Sequence, residues 1–326
     1  MSQAQISVFD KSRQFSSLVV LGVAALSLLL YRTMDSASMT WQIVVALVAL
    51  AIGIPHGALD HLVSLPKSSA LKMAVFIVLY VAIALFAIWA ILKWSVIGFI
   101  GVVVMSALHF GIGDTAFISE QNKSRGETTA PPLAKIFYAL AGGLLPVAIP
   151  LTNSKSVDAL AQVNADLINW HGGWDWLINL SVVLITLIAI VFLLSYRRNR
   201  DAIDLILLYL LVMIAPPLVA FATYFGMWHA VRHTARLTLR LTSSQKFIAQ
   251  GDACGAFARA VIPGTPALVG TFIVAAIIGL QSEEKLSDTF LWYSLVVVWA
   301  LTVPHMLVTA RLDRAALSSP HKGVSV

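Results

Sequence analysis

The sequence predicts an all-α, polytopic integral membrane helix bundle with about ten transmembrane helices. Of its 326 residues, 59% are hydrophobic and only 12% are charged, and the mean hydropathy is +0.85. A soluble domain carries roughly a quarter charged residues, so a water-exposed fold could not cover its surface with so few. Apolar runs close to the roughly 20 residues that a helix needs to cross a bilayer recur along the whole chain.

Ten apolar runs give the expected spans. The seventh run is short, and Pro216-Pro217, which follow it, either separate two helices or kink one long helix shared with the eighth run. In chain order the spans are about 15–31, 41–62, 71–92, 95–112, 131–151, 174–196, 202–215, 218–236, 261–280 and 290–312.

The distribution of basic residues favours two separate spans at this point. With ten spans and the N-terminus in the cytoplasm, all but four of the 22 lysines and arginines fall at or beside the inner ends. The four exceptions are Arg32, Lys93, Lys155 and Lys285. We therefore expect a multi-pass protein of the inner (plasma) membrane with both termini cytoplasmic. Its tails would be residues 1–14 and 313–326, and its transmembrane domain residues 15–312.

The remaining composition narrows the function classes. The net charge of +6 comes from basic residues that flank spans, so it predicts membrane topology and no nucleic-acid partner. Cys254 is the single cysteine, which excludes an intrachain disulfide and a cluster of thiolate ligands. A metal site in this chain would have to use other side chains.

Most of the eight histidines fall in or beside apolar spans, where ionisable groups are costly and usually mark function. Spans two, four, eight and ten all run from outside to inside, and each carries histidine shortly before its cytoplasmic end. We therefore expect these rings to meet at one depth and hold a metal ion. The alternative is that each ring separately hydrogen-bonds a backbone carbonyl between helices. The histidines of these four spans are His56, His109, His229, His233 and His305.

His229 and His233 are four residues apart, so on a helix both rings project from one face and can share one ion. Neutral imidazole is the commonest protein ligand for iron, copper and zinc. His61 follows His56 by five residues and is expected to point away from it, towards the interface. His171 and His321 lie in polar segments and are expected to have no role.

Asp60 and Asp114 each follow a histidine closely, at four and five residues. Either carboxylate could accept the other ring N–H of a ligand histidine and fix its tautomer. The alternative is that both only cap or flank helix ends at the cytoplasmic face.

Aromatic residues crowd the depth of the histidines. They could line a cleft for a long apolar or conjugated substrate, although ordinary core packing is the alternative explanation. The candidates are Phe110, Phe221, Tyr224, Phe225 and Trp228.

Four ordered motifs resemble the Brp/Blh family, whose members are bacterial and archaeal membrane β-carotene 15,15'-dioxygenases that supply retinal to microbial rhodopsins. The motifs are PHGALD at 55–60, HFGIGD at 109–114, the FATYF…H…RH stretch at 221–233 and VPHM at 303–306. The resemblance runs from about Ile54 to Met306. Because four separate motifs occur in order, it is far more specific than any one of them.

The resemblance implies a catalytic transmembrane domain that uses Fe(II) and O₂ to split the central double bond of β-carotene into two retinals. It implies iron ligands at His56, His109, His229 and His233, and leaves open whether His305 binds the metal or a ligand. Substrate would enter from membrane lipid, and the product would pass to a microbial rhodopsin. The alternatives are a membrane haem or di-iron oxidoreductase and a proton-coupled transporter that uses paired histidines.

Overall fold

The computed structural model describes residues 2–30, 39–64, 69–154, 156–281 and 286–318, and within these ranges it is all helix and turn, without a strand. These described ranges contain fifteen α-helices and three short segments of other helix types. The α-helices are α1 Gln3–Leu30, α2 Met39–Gly57, α3 Asp60–Ser64, α4 Ala70–Lys93, α5 Ser95–Arg125, α6 Pro132–Thr152, α7 Ser156–Val163, α8 Asp175–Ser195, α9 Asn199–Ile214, α10 Pro217–Thr223, α11 Ala230–Leu237, α12 Thr242–Ala249, α13 Ala253–Val261, α14 Thr265–Leu280 and α15 Leu286–Ser318. Two 3₁₀ turns cover Ala165–Leu167 and Ile262–Gly264, and a π-helical segment covers Tyr224–His229.

Among the described residues, eight helical stretches are long and apolar enough to cross a membrane. The predicted spans 202–215 and 218–236 correspond to shorter pieces. The first is α9, with 16 residues, and the second is α10, the π-helical segment and α11 in succession. The structure is therefore the predicted all-α polytopic membrane bundle, with two of its ten expected spans short or interrupted.

The chain turns back between α9 and α10, as the charge distribution predicts. Ala215 and Pro216 are both extended, which ends one helix before the next begins at Pro217. Arg232 Nη1 then lies 3.0 Å from Asp204 Oδ2, although 28 residues separate them. In one continuous helix these residues would be about 40 Å apart. The two spans therefore form a helical hairpin.

Helix α1 begins at Gln3, within the segment predicted as a tail. Phe9 is fully buried, and its ring lies 5.3 Å from that of Phe117 on α5. Arg13 is also buried, where it pairs with Asp201 and Asp204 of α9. Residues 3–14 are thus part of the helical bundle, because their apolar and paired charged side chains both find partners there.

Helices α5 and α6 cross unusually closely, and this fixes the position of His109. A Cβ on Gly111 would lie 1.8 Å from the carbonyl oxygen of Ala139, and one on Gly143 would lie 1.9 Å from that of Ala107. Only glycine permits such an approach, and small residues commonly serve this purpose between membrane helices. The contact surface includes the turn of α5 that carries His109.

Candidate metal centre

Five histidine rings meet inside the bundle. They come from α2 (His56), α5 (His109), the end of the π-helical segment (His229), α11 (His233) and α15 (His305), and all five are buried. The centroids of neighbouring rings are 4.9 to 6.5 Å apart. The four spans that carry histidine thus bring their rings to one place.

The π-helical segment shapes one side of this cluster. The Ala230 N–H donates to the carbonyl of Phe225, five residues back, so this turn is wider than an α-helical turn. Such π-bulges occur frequently at functional sites. The segment also packs tightly on α2, because a Cβ on Gly53 would lie 2.1 Å from the Phe225 ring. Phe225 and His229 are thereby set against His56, at ring distances of 6.0 and 5.4 Å.

Two of the rings are oriented through their Nδ1 atoms. His56 Nδ1 donates to the carbonyl of Gly53, one turn earlier on α2. His305 Nδ1 lies 3.0 and 2.9 Å from the two carboxylate oxygens of Asp60. Because a carbonyl or an ionised carboxylate can only accept, both rings carry their proton on Nδ1. In each ring Nε2 then has a free lone pair for a metal ion.

Several ring nitrogens are buried without a hydrogen-bond partner in the described part of the chain. These are both nitrogens of His229, both of His233, and Nε2 of His305. Buried polar atoms are nearly always paired, because leaving one unsatisfied costs about 1–3 kcal/mol. In addition, one ring nitrogen of each of His56, His109 and His305 lies within 4.8 Å of the corresponding nitrogens of the other two. This donor set fits a metal ion that prefers imidazole nitrogen.

Asp60 contacts a different histidine from the one that its spacing suggests. On a continuous helix it would lie one turn beyond His56, but α2 ends at Gly57 and α3 begins at Asp60. The turn between them directs the Asp60 carboxylate to His305 on α15. Tyr80 of α4 also donates its hydroxyl to this carboxylate, at 2.9 Å. The sequence signal for Tyr80 is a hydroxyl group within the apolar run between Lys72 and Lys93.

Asp114 neither contacts a histidine nor caps a helix. It is buried in the middle of α5, which continues to Arg125, well beyond the predicted end of span four. Its Oδ2 accepts from Trp228 Nε1 at 2.6 Å and from the Tyr224 hydroxyl at 3.5 Å. Both sequence-based interpretations of Asp114 are therefore wrong. Its carboxylate instead holds the π-helical segment against α5.

An apolar cavity of about 380 Å³ opens beside the cluster, and His56, His109 and His305 form part of its wall. Phe110 and Phe225 line it, as the sequence predicts for a cleft. His61 lines it as well, although its spacing from His56 predicts that this ring points towards the interface.

The other aromatic candidates divide into two kinds. Tyr224 and Trp228 are fully buried, and both donate hydrogen bonds to Asp114. They line neither this cavity nor a second, smaller apolar cavity next to it. For these two residues the structure shows the alternative interpretation, ordinary core packing. Phe221 lines the second cavity.

The main cavity reaches the outer face of the bundle along α4. Ile77 and Val81 line it and are 45% and 47% exposed. Helix α4 is the most hydropathic of the long helices together with α8, and most of its surface faces outward. An apolar molecule dissolved in a bilayer could therefore enter from the side, between helices. His171 lies in the turn before α8 and lines neither apolar cavity, and its Nδ1 accepts from the Gly173 N–H. His321 lies outside the described residues.

The chain is similar in sequence to known proteins of one family. The sequence model of the β-carotene 15,15'-dioxygenase family matches residues 45–313, which include all five histidines. A β-carotene 15,15'-dioxygenase from uncultured marine bacterium 66A03 is 32% identical over 271 residues, covering 79% of this chain and 88% of the relative. Halobacterium salinarum has a probable β-carotene 15,15'-dioxygenase, Blh, that is 26% identical over 82% of each chain. A second one, Brp, is 25% identical over 81% of each chain. No solved structure matches.

Proposed function

Since the chain belongs to the β-carotene 15,15'-dioxygenase family, we propose that it cleaves the central double bond of β-carotene with O₂ to give two retinals, using Fe(II) held by the five-histidine cluster. The carbon–carbon double bond breaks, and each of its carbons gains one oxygen atom as an aldehyde. Both oxygen atoms of O₂ are thereby used, so the reaction needs no external reductant.

The residues that would hold the iron are His56, His109, His229, His233 and His305. Two observations support this proposal. Buried ring nitrogens of His229, His233 and His305 have no hydrogen-bond partner among the described residues. One nitrogen of each of His56, His109 and His305 lies within 4.8 Å of the other two. When bound, Fe(II) supplies the redox chemistry that activates O₂, and a set of neutral ligands leaves the ion its full charge. The resemblance of the motifs leaves the role of His305 open, but one of its ring nitrogens lies within 4.8 Å of nitrogens of His56 and His109, and its Nε2 has no hydrogen-bond partner among the described residues. We therefore include it among the ligands.

The chain's other residues position these groups and exclude water. Asp60 holds His305 with its proton on Nδ1, and Tyr80 fixes Asp60 by donating to it. Phe110 packs on His229 at 4.6 Å between ring centroids, and together with Phe225 it covers the side of the cluster that faces the cavity. An apolar polyene in this cavity would lie against the histidines without competing water.

The observation that carries the proposal is the cluster of buried, unpartnered histidine nitrogens beside an apolar cavity that opens sideways. The direct test is to express the chain in bacteria that make β-carotene and to assay the purified protein in detergent with Fe(II), O₂ and β-carotene. We expect loss of colour in the cells and retinal as the main product in vitro. Chiefly eccentric apocarotenals, or activity without O₂, would contradict the proposal.

A Soret band in the absorption spectrum of the purified protein would instead indicate a haem protein. The product is expected to pass through the membrane to a microbial rhodopsin.

A further inference from the structure

A polar cavity of about 500 Å³ lies between α5 and α15. His109 forms part of its wall, and the same histidine forms part of the wall of the main apolar cavity. One ring of the histidine cluster is therefore reached by two cavities of opposite chemistry. The reaction proposed above uses only the apolar one.

On α15 the wall of the polar cavity is one continuous stripe. Met306, Thr309 and Asp313 line it at intervals of three or four residues, so they share one face of the helix. The stripe begins at Met306, beside His305 in the chain, and runs about 18 Å along the helix axis to Ser318. The cavity thus extends from the cluster to the end of α15.

The outer end of the polar cavity is open. Arg314 and Ser318 line this end and are exposed, whereas Thr309 and His109 at the inner end are buried. Arg314 and Ser318 also lie past the last predicted span, 290–312. Water can therefore enter the cavity from this end and hydrate its hydroxyl and carboxylate groups, which would be costly to leave without such partners.

The charges beside the polar cavity do not exclude a cation. Asp313 pairs with the buried Arg236, and Arg236 pairs with Glu120 as well. Two carboxylates therefore more than offset this one guanidinium. Among the described residues that line the cavity, the other positive charge is Arg314, which is exposed at the mouth, where water and salt screen it.

A metal ion could not use the main cavity in the same way. That cavity is mostly apolar and opens along α4, whose surface is too apolar to face water, so an ion would lose its hydration there. The polar cavity has room for the hydrated ion. Six waters occupy about 180 Å³, at about 30 Å³ each, which is well below the volume of this cavity.

We infer that the polar cavity is the path by which Fe(II) enters and leaves the histidine cluster, an inference that rests on the proposed function. The hydrated ion passes Arg314 at the mouth and then Asp313 and Thr309, whose oxygen atoms replace part of its water. His109 is the first ring that it meets. The metal ion and the apolar substrate therefore reach the cluster through different cavities.

The test measures the exchange of Fe(II) in the whole protein, held in lipid nanodiscs under anaerobic conditions. Uptake by the metal-free protein gives one rate constant, release into excess chelator gives the other, and their ratio is the Kd. A change in the path alters both rate constants by the same factor and leaves the Kd unchanged, because only the barrier between the two states changes. Loss of a ligand, or a general loss of structure, changes the Kd.

Ile112→Trp narrows the path at its inner end. Ile112 lies one turn after His109 on α5 and lines the polar cavity but neither apolar cavity. We expect both rate constants to fall by about tenfold or more, since a rate falls exponentially as its barrier rises. Leu108→Trp is the matched control, because Leu108 lies beside His109 on the same helix but is exposed and lines none of the three cavities. Its rate constants should equal those of the parent.

Arg314→Glu changes the charge at the mouth of the path. We expect both rate constants to rise several-fold, because a negative charge there attracts the cation, and added salt should reduce this effect by screening. Arg311→Glu is the control, since Arg311 is also exposed on α15 but does not line the polar cavity. Its effect on the two rate constants should be much smaller.

Unchanged rate constants in Ile112→Trp, or equal slowing in Leu108→Trp, would overturn the inference. Equal rate constants in Arg314→Glu and Arg311→Glu would overturn it as well, and this comparison holds even if Ile112→Trp fails to fold. A parent protein that binds no Fe(II) would refute the proposed metal centre itself, and the inference would fall with it.

Discussion

Asp60 shows how a single residue can serve the cluster from outside it. Its carboxylate accepts from His305 Nδ1 and from the Tyr80 hydroxyl, so it joins α3, α4 and α15. The sequence indicates that a carboxylate beside a histidine motif could orient a ligand, but it cannot indicate which ligand. That depends on the turn between α2 and α3, which breaks the helical spacing from His56.

At this scale we predict that Asp60→Ala weakens metal binding. Losing the acceptor leaves His305 free to rotate and to change tautomer, and removing such partners typically costs 10- to 100-fold in metal affinity. The measurement is the Kd for Fe(II), determined anaerobically by competition with a chelator. Asp166→Ala is the control, since the Asp166 carboxylate is exposed and its hydrogen bond is to Ser95, away from the five histidines. An unchanged Kd in Asp60→Ala would contradict the role assigned to this carboxylate.

At the scale of elements, the site depends on how closely helices approach. The four motifs place their histidines in the right spans, because hydropathy and charge suffice to order the spans. Two features were beyond the sequence. The π-helical turn at Tyr224–His229 depends on packing against α2, and α5 extends to Arg125 because its last turns are covered by α1 and α11. For the same reason the sequence could not show that Asp114 lies inside α5 and accepts a hydrogen bond from Trp228.

The α5–α6 crossing gives a prediction with a matched control on adjacent residues. In Gly143→Ala the new Cβ would meet the Ala107 carbonyl oxygen at 1.9 Å, so α5 and α6 must separate. In Gly142→Ala the nearest atom is Tyr138 Cε1 at 3.7 Å, an ordinary contact. We expect Gly143→Ala to lower stability by about 1–3 kcal/mol and to reduce retinal formation, because α5 carries His109. Gly142→Ala should be neutral or stabilising. Thermal unfolding in detergent measures both, and similar midpoints would show that the crossing tolerates a methyl group.

The hairpin of α9 and α10–α11 is closed by buried ion pairs. Asp204 Oδ2 lies 3.0 Å from both Arg13 Nη2 and Arg232 Nη1, and all three side chains are buried. Removing one partner from a buried pair leaves an uncompensated charge and costs about 3–5 kcal/mol. We therefore predict that Asp204→Asn sharply lowers the unfolding temperature and the yield of folded protein. Asp166→Asn, at an exposed position, should behave as the parent. Equal stability of the two variants would contradict the role of the buried ion pairs in closing the hairpin.

At the scale of the whole molecule, composition alone predicted the membrane bundle, and the basic residues predicted the hairpin. The structure adds that some of those basic residues are not loop charges. Arg13, Arg232 and Arg236 are buried in ion pairs, the last with Glu120 and Asp313. Some of the arginines that were counted as basic residues of cytoplasmic loops therefore form buried ion pairs within the bundle. Sequence counting cannot separate these two uses of arginine.

The orientation of the bundle remains a prediction that reporter fusions test. The Asp204–Arg232 contact places the start of α9 and the end of α11 at one end of the molecule. Fusions after Tyr196 and after Lys246 should therefore report the same side, and the excess of basic residues predicts that it is the cytoplasm. A fusion after Lys93 should report the opposite side. Opposite sides for Tyr196 and Lys246 would contradict the hairpin.

The most direct test of the central claim is the iron content of purified histidine variants. Parent protein loaded anaerobically with Fe(II) in detergent should retain iron, and His171→Ala should retain as much. Five variants should each lose most of the iron, because in the proposed centre every ring would supply a buried nitrogen to one ion. They are His56→Ala, His109→Ala, His229→Ala, His233→Ala and His305→Ala. Each variant should still insert in the membrane, and none should form retinal. A parent that holds no iron, or full iron and activity in His229→Ala or His233→Ala, would contradict the five-histidine centre.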